Sequence, residues 1–312
     1  MEKERIVQVQ KWKKMGLIVS PANTSYSVSH CQHPTPVKIS ENIYRFFYGS
    51  RNEDNLTQTF SFDFDMETLK VINYESLPRL KLGELGCFDQ HGIYPSSVVE
   101  NIDGNYFIYT IGFTQGKLPL YHTGIGLAAM SQDFKNLTKF SVAPILSVSQ
   151  YDPCNITGPY VIKESGIYRM WYVSCFKWTF DGADYQSHYH IKYAESKDGI
   201  EWKREGLVSI AHFYPSETNI ARPWIINEDG LYKAWFSYNC GKQGYRIGYA
   251  ESTDGGYTFE RMDHLAGIHP SDEPWENEAV AYPAVIVHKG KKYMFYNGNK
   301  FGKDGIALAI EE

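Results

Sequence analysis

The sequence predicts an all-β fold, a five-bladed β-propeller whose ring is closed by its own N-terminal strand. Three observations carry that prediction. One unit recurs five times along the 312 residues, each copy led by a proline: Pro34, Pro95, Pro159, Pro223 and Pro283. The stretch "KWKKMGLIVSP" at 11–21 echoes "EWKREGLVSI" at 201–210, almost letter for letter. The fifth copy runs out at Glu312, directly after its third strand. A repeat of about 60 residues holding three or four strands reads as a propeller blade.

Each copy opens on a short apolar strand, turns, and continues into a second apolar strand that carries Tyr. The five are "HPTPVKISENIYRFFYGS", "YPSSVVENIDGNYFIYTIG", "GPYVIKESGIYRMWYVS", "RPWIINEDGLYKAWFSY" and "YPAVIVHKGKKYMFYNG". Asp-Gly, Ser-Gly and Lys-Gly pairs between the strands are hairpin signals. Third strands follow, clearest in "HIKYAESKDGIEW" and "RIGYAESTDGGYTF", looser in "GIGLAAMSQDF" and "GIALAIEE". Ser252-x-Asp254-x-Gly256 within the second of these matches an Asp-box turn, whose side chains hold loop backbone. "EWKREGLVSI" is then a fourth strand. Its echo at 11–21 would be the missing fourth strand of the last blade, closing the ring as one domain over 1–312.

Composition narrows the function. The chain has 31 Lys and Arg against 36 Asp and Glu, a net charge of −5 with no basic stripe, so nucleic acid is not an expected partner. No window approaches membrane-span length and the N-terminus lacks a signal-peptide core, so a cytoplasmic protein without a membrane partner is expected. Five cysteines without a C-x-x-C pair read as reduced thiols. Twenty-four Tyr suit both strands and surfaces that stack on sugars.

In a propeller the first strands line the central channel, so residues ahead of the five prolines should surround one pocket. They include His30, His33, Asp89, His91, Tyr94, Asp152, Asn155, Thr157, Glu217, Asn219, Arg222, Glu276, Glu278 and Tyr282. His190 and Arg246 hold matching positions in neighbouring third strands. Convergence of carboxylates, imidazoles and an arginine is an active-site signature. No cofactor is expected. His30, His33, Asp89 and His91 are ligand types that suit a divalent metal, yet no compact ligand motif supports such a site.

On these repeats nearly the whole chain resembles the five-bladed propeller glycosidases, the arabinanase/β-xylosidase and invertase/levansucrase group with the related mannoside phosphorylases. The likeness is sharpest at "NITGPYVIKESGIYRMWYVS", which is similar to the E-G-P-Y motif of the arabinanase-like members. It implies a carbohydrate-active protein using an Asp before the first-blade Pro, an Asp before the second and a Glu near the third. Those positions are His33, Tyr94 and Thr157 here, so all three carboxylates are absent. Glycoside hydrolysis ordinarily takes two carboxyl groups.

Two expectations follow. In the first, an enzyme acts on a glycoside or activated sugar with relocated carboxylates. Glu278 is then the acid/base and Asp89 and Glu217 its partners, with Glu276 and Asp152 behind them. His30, His33, His91, Tyr94, Asp152, Asn155, Thr157, His190, Asn219, Arg222, Arg246, Glu276 and Tyr282 are substrate contacts, Arg222 suited to a carboxylate or phosphate. In the second, the propeller binds a glycan or sugar nucleotide without cleaving it; carboxylates all neutralised by Lys or Arg would favour this. The stretches "GELGCFD", "HIKYAES" and "ETNIARP" are similar to those of glycosidase-like proteins associated with bacterial surface-polysaccharide assembly. That likeness implies a small sugar, sugar nucleotide or biosynthetic intermediate as ligand.

Overall fold

The computed structural model describes residues 8–23 and 28–312, and they are nearly all β. After β1 (Trp12–Val19) come five antiparallel runs of strands. The first is β2 (Ser29–Lys38), β3 (Ile43–Arg51), β4 (Thr57–Asp65) and β5 (Lys70–Tyr74). The second is β6 (Gly92–Glu100), β7 (Tyr106–Gln115), β8 (Tyr121–Met130) and the short β9 (Leu137–Lys139). The third is β10 (Asn155–Glu164), β11 (Ile167–Phe180), β12 (Tyr185–Ser196) and β13 (Lys203–Ile210). The fourth is β14 (Glu217–Glu228), β15 (Leu231–Cys240), β16 (Arg246–Ser252) and β17 (Glu260–Arg261). The fifth has only β18 (Ala281–His288), β19 (Lys291–Asn297) and β20 (Ile306–Glu311) of its own.

Its fourth strand is β1, which pairs antiparallel with β20 from Trp12 opposite Glu311 to Val19 opposite Ile306. The sequence echo thus has a structural counterpart, since β13 pairs with β12 in the same way. Gly16 and Gly206 occupy matching places and both take positive φ (+85° and +79°), where the register of each pair slips. Lys14 and Arg204, also matched, each reach a buried carboxylate, Glu276 and Asp152.

Local chemistry explains the hairpins. Ser165-Gly166, Asp229-Gly230 and Lys289-Gly290 all have two successive positive φ values, the type I′ geometry that matches strand twist. The Asp-box reading holds as a structural one. Asp254 accepts from Ser252, Thr258 and the Tyr257 amide, and Asp198 and Ser196 repeat the arrangement in the third run.

Neighbouring runs pack through aromatic layers. Phe46 and Phe64 of the first run meet Phe295 of the fifth, with ring centroids 4.4 Å apart for Phe46 and Phe295, and Phe62 stacks behind Phe46. Some indole and phenol hydrogens are satisfied across the joints, as when Trp171 donates to the Gly256 carbonyl and Tyr109 to that of Gly199. Burying such rings with their one polar atom paired is how aromatic cores avoid an unmet donor. The first strands neighbour one another in order, β2 with β6, β6 with β10, β10 with β14, β14 with β18, and β18 with β2. No helix among the described residues is long and apolar enough to cross a membrane.

Candidate functional site

The five first strands share one irregularity. The register against the second strand slips at each leading proline, between Gln32 and Thr35, Pro95 and Ser97, Thr157 and Tyr160, Ala221 and Trp224, and Ala281 and Ala284. Proline has no N–H to give the ladder, so a bulge there loses no hydrogen bond. In four of the five the residue before the proline is left-handed: His33 (φ +60°), Gly158 (+53°), Arg222 (+52°) and Tyr282 (+57°). For the three non-glycine residues this costs about 1–3 kcal/mol each and persists only where the surroundings enforce it. All four, with Tyr94 of the second run, line one central cavity of about 370 Å³.

The cavity is aromatic and basic. Tyr94, Tyr121, Tyr189, Tyr245 and Tyr282 contribute rings, and Phe113 and Phe301 add two more. His33 lies against Tyr282 (centroids 4.2 Å apart) and Tyr94 (5.5 Å). Tyr121 is backed by Trp178, edge to face at 5.1 Å, and its hydroxyl contacts those of Tyr189 and Ser187. Burial pushes the hydroxyls of Tyr121, Tyr189, Tyr245 and Tyr282 up, so they remain neutral phenols.

Two guanidinium groups complete the lining. Arg222 is 2% exposed and spans the joints of three runs. Its Nη1 donates to the Ser96 carbonyl (2.6 Å) and hydroxyl, and its Nη2 to the Pro34 carbonyl (2.7 Å) and the Thr35 hydroxyl. Burial lowers its pKa to about 9. Among the described residues Arg51, at the end of β3, reaches only neutral oxygens, Oδ1 of Asn55 and Oε1 of Gln32. Burial, with Arg222 and Arg51 close by, holds the His33 imidazole well below its ordinary value, so it is neutral. No Asp or Glu lines the cavity among the described residues.

Of the residues expected from sequence, the structure brings His33, Tyr94, Thr157, Asn219, Arg222 and Tyr282 into this lining. It takes the carboxylates elsewhere. Asp89 is bound to Lys139 (2.5 Å), Glu217 to Arg261 (2.8 Å) and Glu276 to Lys14 (2.8 Å). Asp152 is bound to Arg204 (2.9 Å) and Lys192 (3.3 Å). Each ties the entry to a first strand to a cation on a strand farther out in its own run, and each is buried. A trio of Glu278, Asp89 and Glu217 around one substrate is therefore not formed. Glu278 is exposed and lies in a separate groove that shares only Tyr245 and Phe301 with the cavity.

Of the remaining candidates, Asn155, His91 and Arg246 support backbone, and His30 and His190 meet neighbouring side chains. Asn155 accepts from the Thr123 amide and donates to the Tyr121 carbonyl, positioning two lining residues from behind. His91 accepts from the Gln115 amide, and His30 pairs with the Ser29 hydroxyl. Arg246 donates to three carbonyls, those of Gly244, Tyr245 and Glu278. His190 stacks on Phe176 at 4.7 Å. Among the described residues no three His, Cys, Asp or Glu side chains are placed to share a metal ion, and His30, His33, Asp89 and His91 face different partners.

Sequence reasoning missed Arg51, Phe113, Tyr121, Tyr189, Tyr245 and Phe301. They come from second strands, third strands and the loops joining them, and their signal is pairing: Ser29 stands opposite Arg51, and Gln115 opposite Tyr121.

No model of a protein family matches the chain. The uncharacterized protein Rv1502 of Mycobacterium tuberculosis is 30% identical over 303 residues, covering 96% of this chain and 99% of its own. The chain belongs to the Rv1502 family. Among solved structures, that of a BT0996 RGII complex superposes with a TM-score of 0.77 at 18% identity, over 97% of this chain and 92% of that one. An exo-1,5-α-L-arabinanase from a bovine ruminal metagenomic library gives 0.60 at 16%, over 90% and 92%. This member of the Rv1502 family therefore has the fold of the propeller glycoside hydrolases. It does so without carboxylates at the positions that the resemblance marks, His33, Tyr94 and Thr157.

Proposed function

We propose that the five runs are the blades of one five-bladed propeller over 1–312, closed by β1, and that its central cavity binds a small sugar-containing ligand without hydrolysing it. The cyclic order of first-strand neighbours and the pairing of β1 with β20 support the ring. The observation that carries the function is the lining itself: five tyrosines, two arginines and a neutral histidine, with no carboxylate among the described residues. Tyrosine rings offer a sugar both an apolar face and a hydroxyl partner. A carboxyl pair to donate a proton and activate water is missing from the place where the substrate would sit. A cavity of about 370 Å³ lies at the small end of ligand sites and suits one or two sugar residues. The glycoside hydrolase fold points the same way, towards a carbohydrate. A cytoplasmic sugar intermediate is the ligand that the likeness to surface-polysaccharide proteins implies.

One observation favours a second reading. Glu278 is the candidate carboxylate outside a buried ion pair, and its groove adjoins the cavity across Tyr245 and Phe301. A ligand long enough to pass that wall would meet it. A mass-spectrometric screen of wild type and Glu278→Gln against simple glycosides, sugar phosphates and sugar nucleotides separates the readings. Binding without turnover in either protein is the expected result. Turnover by wild type that is lost in Glu278→Gln would replace the binding function with an enzyme using Glu278.

A further inference from the structure

We infer that the sugar held in this cavity is anionic, carrying a carboxylate or phosphate that sits against Arg222 and Arg51. The inference rests on the cavity being the ligand site and specifies the class of ligand.

Charge around the cavity is out of balance. The other buried cations of the described chain each have a carboxylate: Lys192 has Asp152, Arg169 has Glu164, and the near-buried Arg261 has Glu217 and Asp263. Among the described residues Arg222 has none and is met only by carbonyls and hydroxyls. A charge buried without a counterion is costly, and a chain that pairs its other buried cations leaves this one for something else to neutralise.

Hydrogen-bonding capacity is also left over. The Nε of Arg222, the Nε of Arg51 and the Nδ1 of His33 are buried and lack partners among the described residues, and all three residues line the cavity. Other buried polar atoms of the described residues lack partners singly, Arg261 Nε and Trp202 Nε1 among them, but here three gather around one cavity, which suits a polar ligand. Guanidinium N–H groups match the oxygens of carboxylate and phosphate, and such charge-assisted bonds are the stronger ones. Without a carboxylate among the described lining residues, none of them repels an anion.

The backbone adds a third observation. His33, Arg222 and Tyr282 are held left-handed at the point where they enter the cavity. Strain of this kind collects at ligand sites, where it fixes side-chain direction. The tyrosine rings supply the sugar contacts and the arginines the charge.

The test is calorimetric titration of the full chain with glucose and galactose, their uronic acids and their 6-phosphates, with inorganic phosphate as a separate probe. At least one acid or phosphate ester should bind roughly tenfold or more tightly than its neutral parent, weakening as salt rises. Comparing uronic acids with phosphate esters distinguishes the two anion sources. Arg222 also laces three runs together, so Arg222→Lys can fail to fold. Arg51→Gln is the second variant and should remove most of the acid-over-neutral preference. A neutral parent that binds as tightly as its acid overturns the anionic ligand and leaves the sugar site standing, and a preference unchanged in Arg51→Gln overturns the placing of the anion against Arg51. Inorganic phosphate binding with no sugar bound would retain the anion site and overturn the sugar reading. No binding by any probe overturns both.

Discussion

Asp89, Asp152, Glu217 and Glu276 lie six or seven residues ahead of Pro95, Pro159, Pro223 and Pro283. That nearness in sequence makes them look like parts of the pocket. The residue next to each proline is turned inward, with Thr157 and Asn219 close behind it in the lining; the carboxylates meet cations on outer strands instead. Removing one member of a buried ion pair leaves the other charge unpaired, which costs about 3–5 kcal/mol. Asp152→Ala and Glu217→Ala should each lose about that much in denaturant unfolding, while protein that remains folded binds ligand as wild type does. Loss of ligand binding at unchanged stability would restore these residues to the site. Protonation gives a second prediction at this scale. Burial, with Arg51 nearby, lowers His30 to about 4, and burial with Lys192 does the same for His190. Below the ordinary histidine value of 6.5 the unfolded chain takes up protons that the folded chain refuses. Stability is therefore full above about pH 6.5 and falls as pH drops towards 4. His190→Gln should flatten part of that acid limb in thermal melts; an unchanged limb would show that His190 does not drive it.

The strands are the scale at which the sequence is most readable. Leading prolines, Gly-containing turns and apolar alternation locate most of the longer strands, because each signal is local. The likeness of 11–21 to 201–210 also has a physical cause, since Lys14 and Gly16 do for the fifth run what Arg204 and Gly206 do for the third. Which second-strand and third-strand residues face inward is not legible, because that depends on bulge positions and pairing across hairpins. Arg51 and Tyr121 escape notice for this reason. The two-residue β17 and three-residue β9 are too short to leave a periodic trace. At the seam, the carbonyl of Val19 in β1 lies 1.9 Å from where a Cβ on Gly305 would be, and Gly305 has φ of +141°. Gly305→Ala should destabilise the chain by about 1–3 kcal/mol in denaturant unfolding. Wild-type stability in that variant would mean that β1 does not fix the seam.

The molecule as a whole behaves, on this reading, as one ring in which each run leans on two neighbours. Arg222 alone bonds from the fourth run to the first and second, and Asn297 of the fifth run holds the His33 amide of the first. Unfolding followed by tryptophan fluorescence and by far-UV circular dichroism should give coincident, single transitions. Two separated transitions would divide the chain into independent domains. The bulges aim whatever residue precedes each proline into the cavity, so a fold shared with glycoside hydrolases can present a lining without carboxylates; here those residues are His33, Tyr94, Gly158, Arg222 and Tyr282. The most direct test is a crystal structure of the full chain with the acidic sugar that binds most tightly in the titrations. Its anionic group should lie within hydrogen-bond reach of Arg222 Nε and Arg51, with the sugar ring among Tyr94, Tyr245 and Tyr282. A sugar lodged in the groove beside Glu278, with Arg222 still without a counterion, would contradict an anion-binding propeller.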